Sequence, residues 1–87
     1  MAVTAVDFQT ELDKIFQNAQ KRNAQDIIVV SGELHRRVGN YPDPKKHRMP
    51  ICCRVMRENM KSGDSILYAP PKGDGASLEI KYLLPRR

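Results

Sequence analysis

The chain contains no tryptophan, few aromatic side chains and no long apolar segment. Phenylalanine and tyrosine together contribute five of the 87 residues, so the core has to be built mainly from Leu, Ile, Val and Met. No apolar stretch approaches the roughly 20 residues that span a bilayer, and residues 1–4 lack the charged and apolar regions of a signal peptide. These absences predict one small domain in the cytoplasm, with no membrane partner.

Cysteine is also scarce, and the two residues present, Cys52 and Cys53, are adjacent. Neighbouring residues seldom meet the Cα separation of a disulfide, which fits a reducing compartment. His35 and His47 add possible metal ligands, but the Cys-x-x-Cys and His-x-x-x-His spacings of structural zinc sites are absent. Adjacent cysteines on a helix point about 100° apart, so we expect no metal and no cofactor. Cys52 is predicted to be buried as a small apolar residue.

Catalytic motifs are missing as well. The chain has no nucleophile elbow, no phosphate-binding glycine loop that ends in Lys and Ser or Thr, and no close pair of carboxylates. The Gly73-Asp74-Gly75 triplet is typical of a turn. The sequence therefore predicts a protein that is not an enzyme and has no small-molecule substrate.

Positive charge is present in excess, and it is concentrated in one half of the chain. The formal net charge is +5. Residues 1–40 contain equal numbers of basic and acidic side chains, so the whole excess falls in residues 41–87. A local positive surplus favours a polyanionic partner such as nucleic acid, although a merely basic surface would produce the same count.

The N-terminal segment has the pattern of an amphipathic helix. Thr4 followed by Asp7 is an acidic form of the capping box that begins a helix. The pattern predicts a helix over 5–22, with Asn23 in a left-handed conformation at its end. Its apolar stripe consists of Phe8, Leu12, Ile15, Phe16 and Ala19.

A short strand and a second helix are predicted next. The β-branched run over 26–30 is typical of a strand. Ser31 is expected to cap a helix over 32–38 that ends at Gly39 or Asn40. A helix of about two turns is not stable alone, so packing has to hold it in place.

A loop with two prolines and four basic or histidine side chains follows over 41–48. After it, apolar residues at helical spacing predict a third helix over 50–61, with proline at its first position. This helix buries one side and leaves arginine on the other.

The remaining segment predicts a β-hairpin. Ile66 and Tyr68 indicate a strand over 65–68 with both side chains on one face. The glycine-rich segment 72–76, here called the hairpin tip, can adopt positive φ angles. The clean alternation of apolar and polar residues predicts a strand over 77–83.

This order of elements resembles the winged helix-turn-helix family, in an α+β domain that spans residues 1–87. The resemblance implies three helices with a small antiparallel sheet, in the order α1-β1-α2-α3-β2-wing-β3. It also implies that helix 50–61 is a recognition helix for the DNA major groove and that the hairpin tip is the wing. The connection between the second and third helices is longer and richer in proline than is usual in the family.

The resemblance and the charge pattern select the same residues for contact with nucleic acid. Arg54, Arg57 and Lys61, at i, i+3 and i+7, are predicted to form one cationic helix face, from which arginine can donate two hydrogen bonds to a guanine edge. The basic residues before that helix and the lysines beside the tip are expected to contact phosphate. His35, Arg36 and Arg37 on the second helix are further candidates, although either arginine could instead pair with Glu33 or a nearby aspartate. The predicted binding residues are Lys45, Lys46, His47, Arg48, Arg54, Arg57, Lys61, Lys72 and Lys81.

The predicted function is duplex DNA binding, as a transcriptional regulator or as the DNA-reading module of a prokaryotic or phage system. The alternative is a winged-helix module that binds a protein, through the first helix or the strand edge at Leu67, and does not bind DNA. A homodimer is a further open possibility. Single-stranded RNA is disfavoured because few aromatic side chains are available to stack on bases.

Overall fold

A computed structural model describes residues 4–39 and 48–86 of the chain. Within these residues the chain forms three helices and three strands. They are α1 (Ala5–Lys21), β1 (Asp26–Val30), α2 (Ser31–Val38), α3 (Met49–Glu58), β2 (Ser65–Tyr68) and β3 (Glu79–Leu83). The predicted α+β class is confirmed, and the arrangement is compatible with a winged-helix layout.

The three strands form one antiparallel sheet in the order β1-β3-β2. Ile80 and Tyr82 of the central strand are fully buried, and β1 places Val29 and Ile27 opposite them in the register. These residues belong to the core together with apolar side chains of α1, α2 and α3. One face of the sheet is therefore covered by the helices, and the alternate residues of β3 point away from them.

Helix α1 forms as its sequence predicts. Thr4 and Asp7 make both hydrogen bonds of the capping box, and the predicted apolar stripe supplies buried core residues. The helix ends at Lys21, one residue before the predicted end, and Asn23 follows with a φ of 61°. Local sequence signals were sufficient here because a cap and a stripe both act within a single helix.

Helix α2 starts differently from the prediction. Ser31 does not cap the helix but is its first residue, and its hydroxyl donates to the carbonyl of Gly75 at 2.5 Å. The backbone N–H groups of Ser31 and Gly32 donate to the carbonyls of Leu78 and Ala76, both at 2.9 Å. The first N–H groups of a helix have no partner within it, and here the loop between β2 and β3 supplies the acceptors.

Strands β2 and β3 also depart from the prediction. β3 begins at Glu79, two residues later than predicted, and the carbonyl of the preceding Leu78 accepts from the first residue of α2. A register shift in β2 pairs Ile66 with Ile80 and Tyr68 with Glu79, which are adjacent residues of β3. Since adjacent strand residues point to opposite faces, Ile66 and Tyr68 do not share a face as predicted.

Helix α3 is shorter at its C-terminus than predicted. It ends at Glu58, and Asn59 is its C-cap. The side-chain amide of Asn59 donates to the carbonyl of Val55 at 2.8 Å and exchanges two hydrogen bonds with the amide of Gln9 on α1. Lys61 therefore lies beyond the helix, and the predicted cationic face does not extend to it.

The C-terminal segment is tied to the core by Arg86. Its guanidinium pairs with Asp64 at 2.9 Å, with side-chain exposures of 7% and 1%, and lies over the rings of Phe16 and Tyr82 at 4.8 and 5.0 Å. A guanidinium can be buried in this way because it stacks on aromatic faces while it donates to a carboxylate. This residue of the basic tail is a structural element.

Asp64 accepts several hydrogen bonds in the same cluster. Burial alone would raise the pKa of this carboxyl group, but backbone N–H groups of Leu83 and Lys61 and the guanidinium of Arg86 outweigh it and lower the pKa below its usual value. The ionised carboxylate therefore joins the turn before β2 to the end of β3.

The close approach at the start of α2 predicts a strict requirement for glycine at position 32. A Cβ atom there would lie 2.9 Å from the carbonyl oxygen of Ala76, so Gly32→Ala should destabilise the protein by about 1–3 kcal/mol. Urea unfolding measures this, with Glu33→Ala, at an exposed neighbouring position, as the control. Helix propensity alone would make Gly32→Ala stabilising, so a more stable variant would contradict the packing described here.

The buried ion pair predicts that Arg86 is needed for stability. Arg86→Met leaves Asp64 buried without its charged partner, which should lower the free energy of unfolding by about 3–5 kcal/mol at neutral pH. Thermal and urea unfolding measure the change, with Lys14→Met as an exposed charge-removal control. Adding Asp64→Asn should recover part of the loss, and a loss no larger than that of Lys14→Met would refute the role assigned to Arg86.

Candidate nucleic-acid interface

Helix α3 leaves only a narrow exposed stripe. Half of its ten residues are buried, because the helix packs against α1, α2 and the hairpin. Pro50, Arg54 and Glu58 are exposed, and their spacing of four residues places them along one side of the helix. Arg54 stands in the middle of this stripe as an exposed residue that also lines the groove described next.

A groove separates this stripe from the hairpin tip. It is lined by Pro50, Ile51, Arg54, Arg57, Glu58 and Asp74. The lining contains two guanidinium groups and two carboxylates, so its formal charge is balanced. The structure therefore places the predicted residues Arg54 and Arg57 close to the hairpin, an arrangement compatible with a winged-helix layout. The same groove also contains the acidic side chains of Glu58 and Asp74.

Arg57 is committed to the hairpin tip. Its guanidinium pairs with the carboxylate of Asp74 at 2.7 Å and also donates to the carbonyl of Gly73. One turn earlier on the same helix, the thiol of Cys53 donates to the carbonyl of Gly75 at 3.4 Å. This side of α3 faces the tip, whereas Arg54 faces the open groove.

The start of α3 is positioned by α2. The backbone N–H of Arg48, the N-cap residue, donates to Nε2 of His35 at 2.7 Å. His35 is fully buried and contacts the ring of Phe8 edge-to-face, with ring centroids 4.9 Å apart. The prediction that His35 could contact phosphate is therefore wrong, and this histidine fixes the entry of the helix. Arg48 itself is half-buried.

The other predicted binding residues fall at separate places. Lys72 is exposed in the hairpin tip, and Lys61 is exposed beyond the end of α3. Lys81 lies on the sheet face that points away from the helices, 3.9 Å from the carboxylate of Asp26 on β1. The remaining three, Lys45, Lys46 and His47, lie outside the described residues.

Both cysteines are free and buried in the core, as predicted for Cys52. The Cys52 thiol donates to the carbonyl of Ser31 at 3.5 Å, and burial together with the neighbouring Cys53 raises its pKa to about 12. Among residues 4–39 and 48–86, no group of three or more His, Cys, Asp or Glu side chains could hold a metal ion.

Sequence reasoning missed the partners of Arg57. The Gly73-Asp74-Gly75 triplet predicts only a turn at Asp74. Arg57 and Asp74 are 17 residues apart, so no helical or strand spacing relates them. Opposite charges on α3 and in a glycine-rich turn were the available signal, but only the packing of the hairpin against α3 makes them partners.

No family model, curated protein or solved structure matches this chain. In the part of the chain that the structure describes, no helix has the length and apolar character needed to cross a membrane. Any assignment of function therefore depends on the geometry and chemistry of the residues themselves.

The burial of the thiols predicts slow cysteine chemistry in the folded protein. The thiolate is the reactive form, and both sulfur atoms are inaccessible and donate to carbonyl groups. Ellman's reagent at pH 8 should react slowly with the native protein and rapidly after denaturation in urea. Immediate reaction of both thiols without denaturant would contradict this packing.

Proposed function

We propose that the protein is a winged-helix module that binds duplex DNA, with α3 in the major groove and the hairpin tip beside the backbone. The observation that carries this proposal is the exposed Arg54 on the outer stripe of α3, next to a hairpin held against the same helix. The module would act in transcriptional regulation, or as the DNA-reading part of a larger prokaryotic or phage system, in the cytoplasm and without catalysis.

The dimensions and chemistry of this region support DNA as the partner. Helix α3 has ten residues, a length of about 15 Å, and the major groove of about 12 Å accepts a single helix. Arg54 can donate two hydrogen bonds to a guanine edge. Lys72 in the tip carries a compact charge suited to a phosphate group.

A protein partner is the second candidate, and one observation favours it. Ile66, Leu67 and Tyr68 of the edge strand β2 are 43%, 49% and 49% exposed. Edge strands with exposed apolar side chains are common sites of strand addition by another chain. The balanced charge of the groove between α3 and the tip is also compatible with a protein partner.

The experiment that separates the two candidates is a salt titration. Fluorescence anisotropy measures binding of the 87-residue chain to a labelled random-sequence duplex at 50 and 200 mM salt. Each phosphate contact makes the slope of log affinity against log salt more negative by about 0.9, so DNA binding should weaken steeply as salt increases. Absence of binding at 50 mM salt would refute the DNA proposal and favour the protein partner.

Arg54 should contribute more to DNA binding than other exposed cations. Arg54→Ala removes a bidentate donor worth about 1–3 kcal/mol, so the affinity for a selected site should fall about tenfold. Lys14→Ala is the matched control, because Lys14 is exposed on α1 and does not line the groove. Equal affinities of the two variants would show that α3 does not read the duplex.

A further inference from the structure

The hairpin tip is held against the helices at two levels. At its base, the carbonyl of Gly75 accepts from the hydroxyl of Ser31 and the thiol of Cys53, and the carbonyl of Ala76 accepts from the backbone of Gly32. These contacts involve core residues and fix where the hairpin begins its return to β3.

The apex of the tip is held by a side chain of α3. Gly73 has a φ of 87°, and its N–H closes a turn onto the carbonyl of Pro70 at 2.8 Å. Arg57 reaches this turn with two donors, one to the carbonyl of Gly73 and one to the carboxylate of Asp74 at 2.7 Å. The side chains of Arg57 and Asp74 are 34% and 43% exposed, so the pair is partly accessible to water.

A DNA phosphate would have to compete with these acceptors for Arg57. One carboxylate oxygen of Asp74 already accepts from Nη1 of the guanidinium at 2.7 Å, a distance typical of a charge-assisted hydrogen bond. Arg54, three residues earlier, lines the same groove from the exposed stripe of the helix. The two arginines of α3 are thus in different situations, although they are equivalent in the sequence pattern.

We propose that Arg57 is a positioning residue, which clamps the tip to α3 through Asp74 and Gly73 while Arg54 faces the duplex. This inference rests on the proposed DNA-binding function. The clamp sets the distance between tip and helix, so that Lys72 and α3 can engage the same duplex together. Arg57 donates to atoms of the protein itself, Asp74 and Gly73, and in this role it makes no contact with a DNA phosphate.

A double-mutant cycle with two readouts tests the clamp. The variants are Arg57→Met, which keeps most of the side-chain length without the charge, Asp74→Asn, and both together. DNA affinity and its salt slope are measured on the random-sequence duplex. Order of the tip is measured without DNA, by the heteronuclear NOE of the backbone amides of residues 73–75. Arg54→Met is the matched control on the same helix.

A positioning role predicts that each single variant weakens DNA binding about fivefold and that the double variant is no weaker than the worse single variant. The salt slope of Arg57→Met should equal that of the wild type, since no phosphate contact is lost. The NOE at residues 73–75 should fall in Arg57→Met and Asp74→Asn. Arg54→Met should weaken binding with no change in the NOE.

Two results would overturn the clamp. A salt slope less steep by about 0.9 in Arg57→Met, together with tighter binding by Asp74→Asn, would mean that Arg57 contacts phosphate. Unchanged affinity and unchanged NOE in both single variants would mean that the pair orders nothing. Failure of the proposed function looks different, because the wild-type protein itself would then not bind the duplex.

Discussion

The carbonyl groups of Gly75, Ala76 and Leu78 hold the segment between β2 and β3 against helices α2 and α3. They accept hydrogen bonds from the first residues of α2 and from the thiol of Cys53 on α3, so one short segment satisfies groups from both helices. The contact is possible only because Gly32 has no side chain, since a Cβ atom would meet the carbonyl of Ala76. The position of β3, and with it the sheet, follows from this docking, because the segment leads directly into the central strand.

The same docking limits what α3 can offer to a partner. The helix packs on three sides, so its well-exposed residues are Pro50, Arg54 and Glu58, with Ile51 and Arg57 only partly exposed. Its side next to the hairpin is used internally by Cys53 and Arg57. A short amphipathic helix in a small domain therefore divides its residues between core, hairpin and partner, and few are left for recognition.

Some basic side chains of this protein form internal ion pairs and others are open to a ligand, and the sequence pattern does not distinguish the two groups. Arg86 reads as part of a basic tail, yet it is buried between Phe16 and Tyr82 and paired with Asp64. Arg57 reads as a surface cation of a helix, yet it is bonded to the hairpin. Both partners are carboxylates distant in the sequence, and a buried or half-buried cation needs such a partner to offset its desolvation. A basic composition therefore overstates the charge available for a polyanionic ligand.

The sequence by itself determined what depends on neighbours within about one helical turn or one strand. The capping box and stripe of α1, the left-handed Asn23, the β1 strand and the burial of Cys52 all follow from local spacing and residue type. The tertiary structure decided the rest. The end of α3 is set by Asn59 and its contact with α1, the start of α2 by the loop after β2, and the faces of Ile66 and Tyr68 by a register shift. It also decided that Arg54 is open and Arg57 is bound, because hydrogen bonds between distant segments form only where packing has already brought donor and acceptor together.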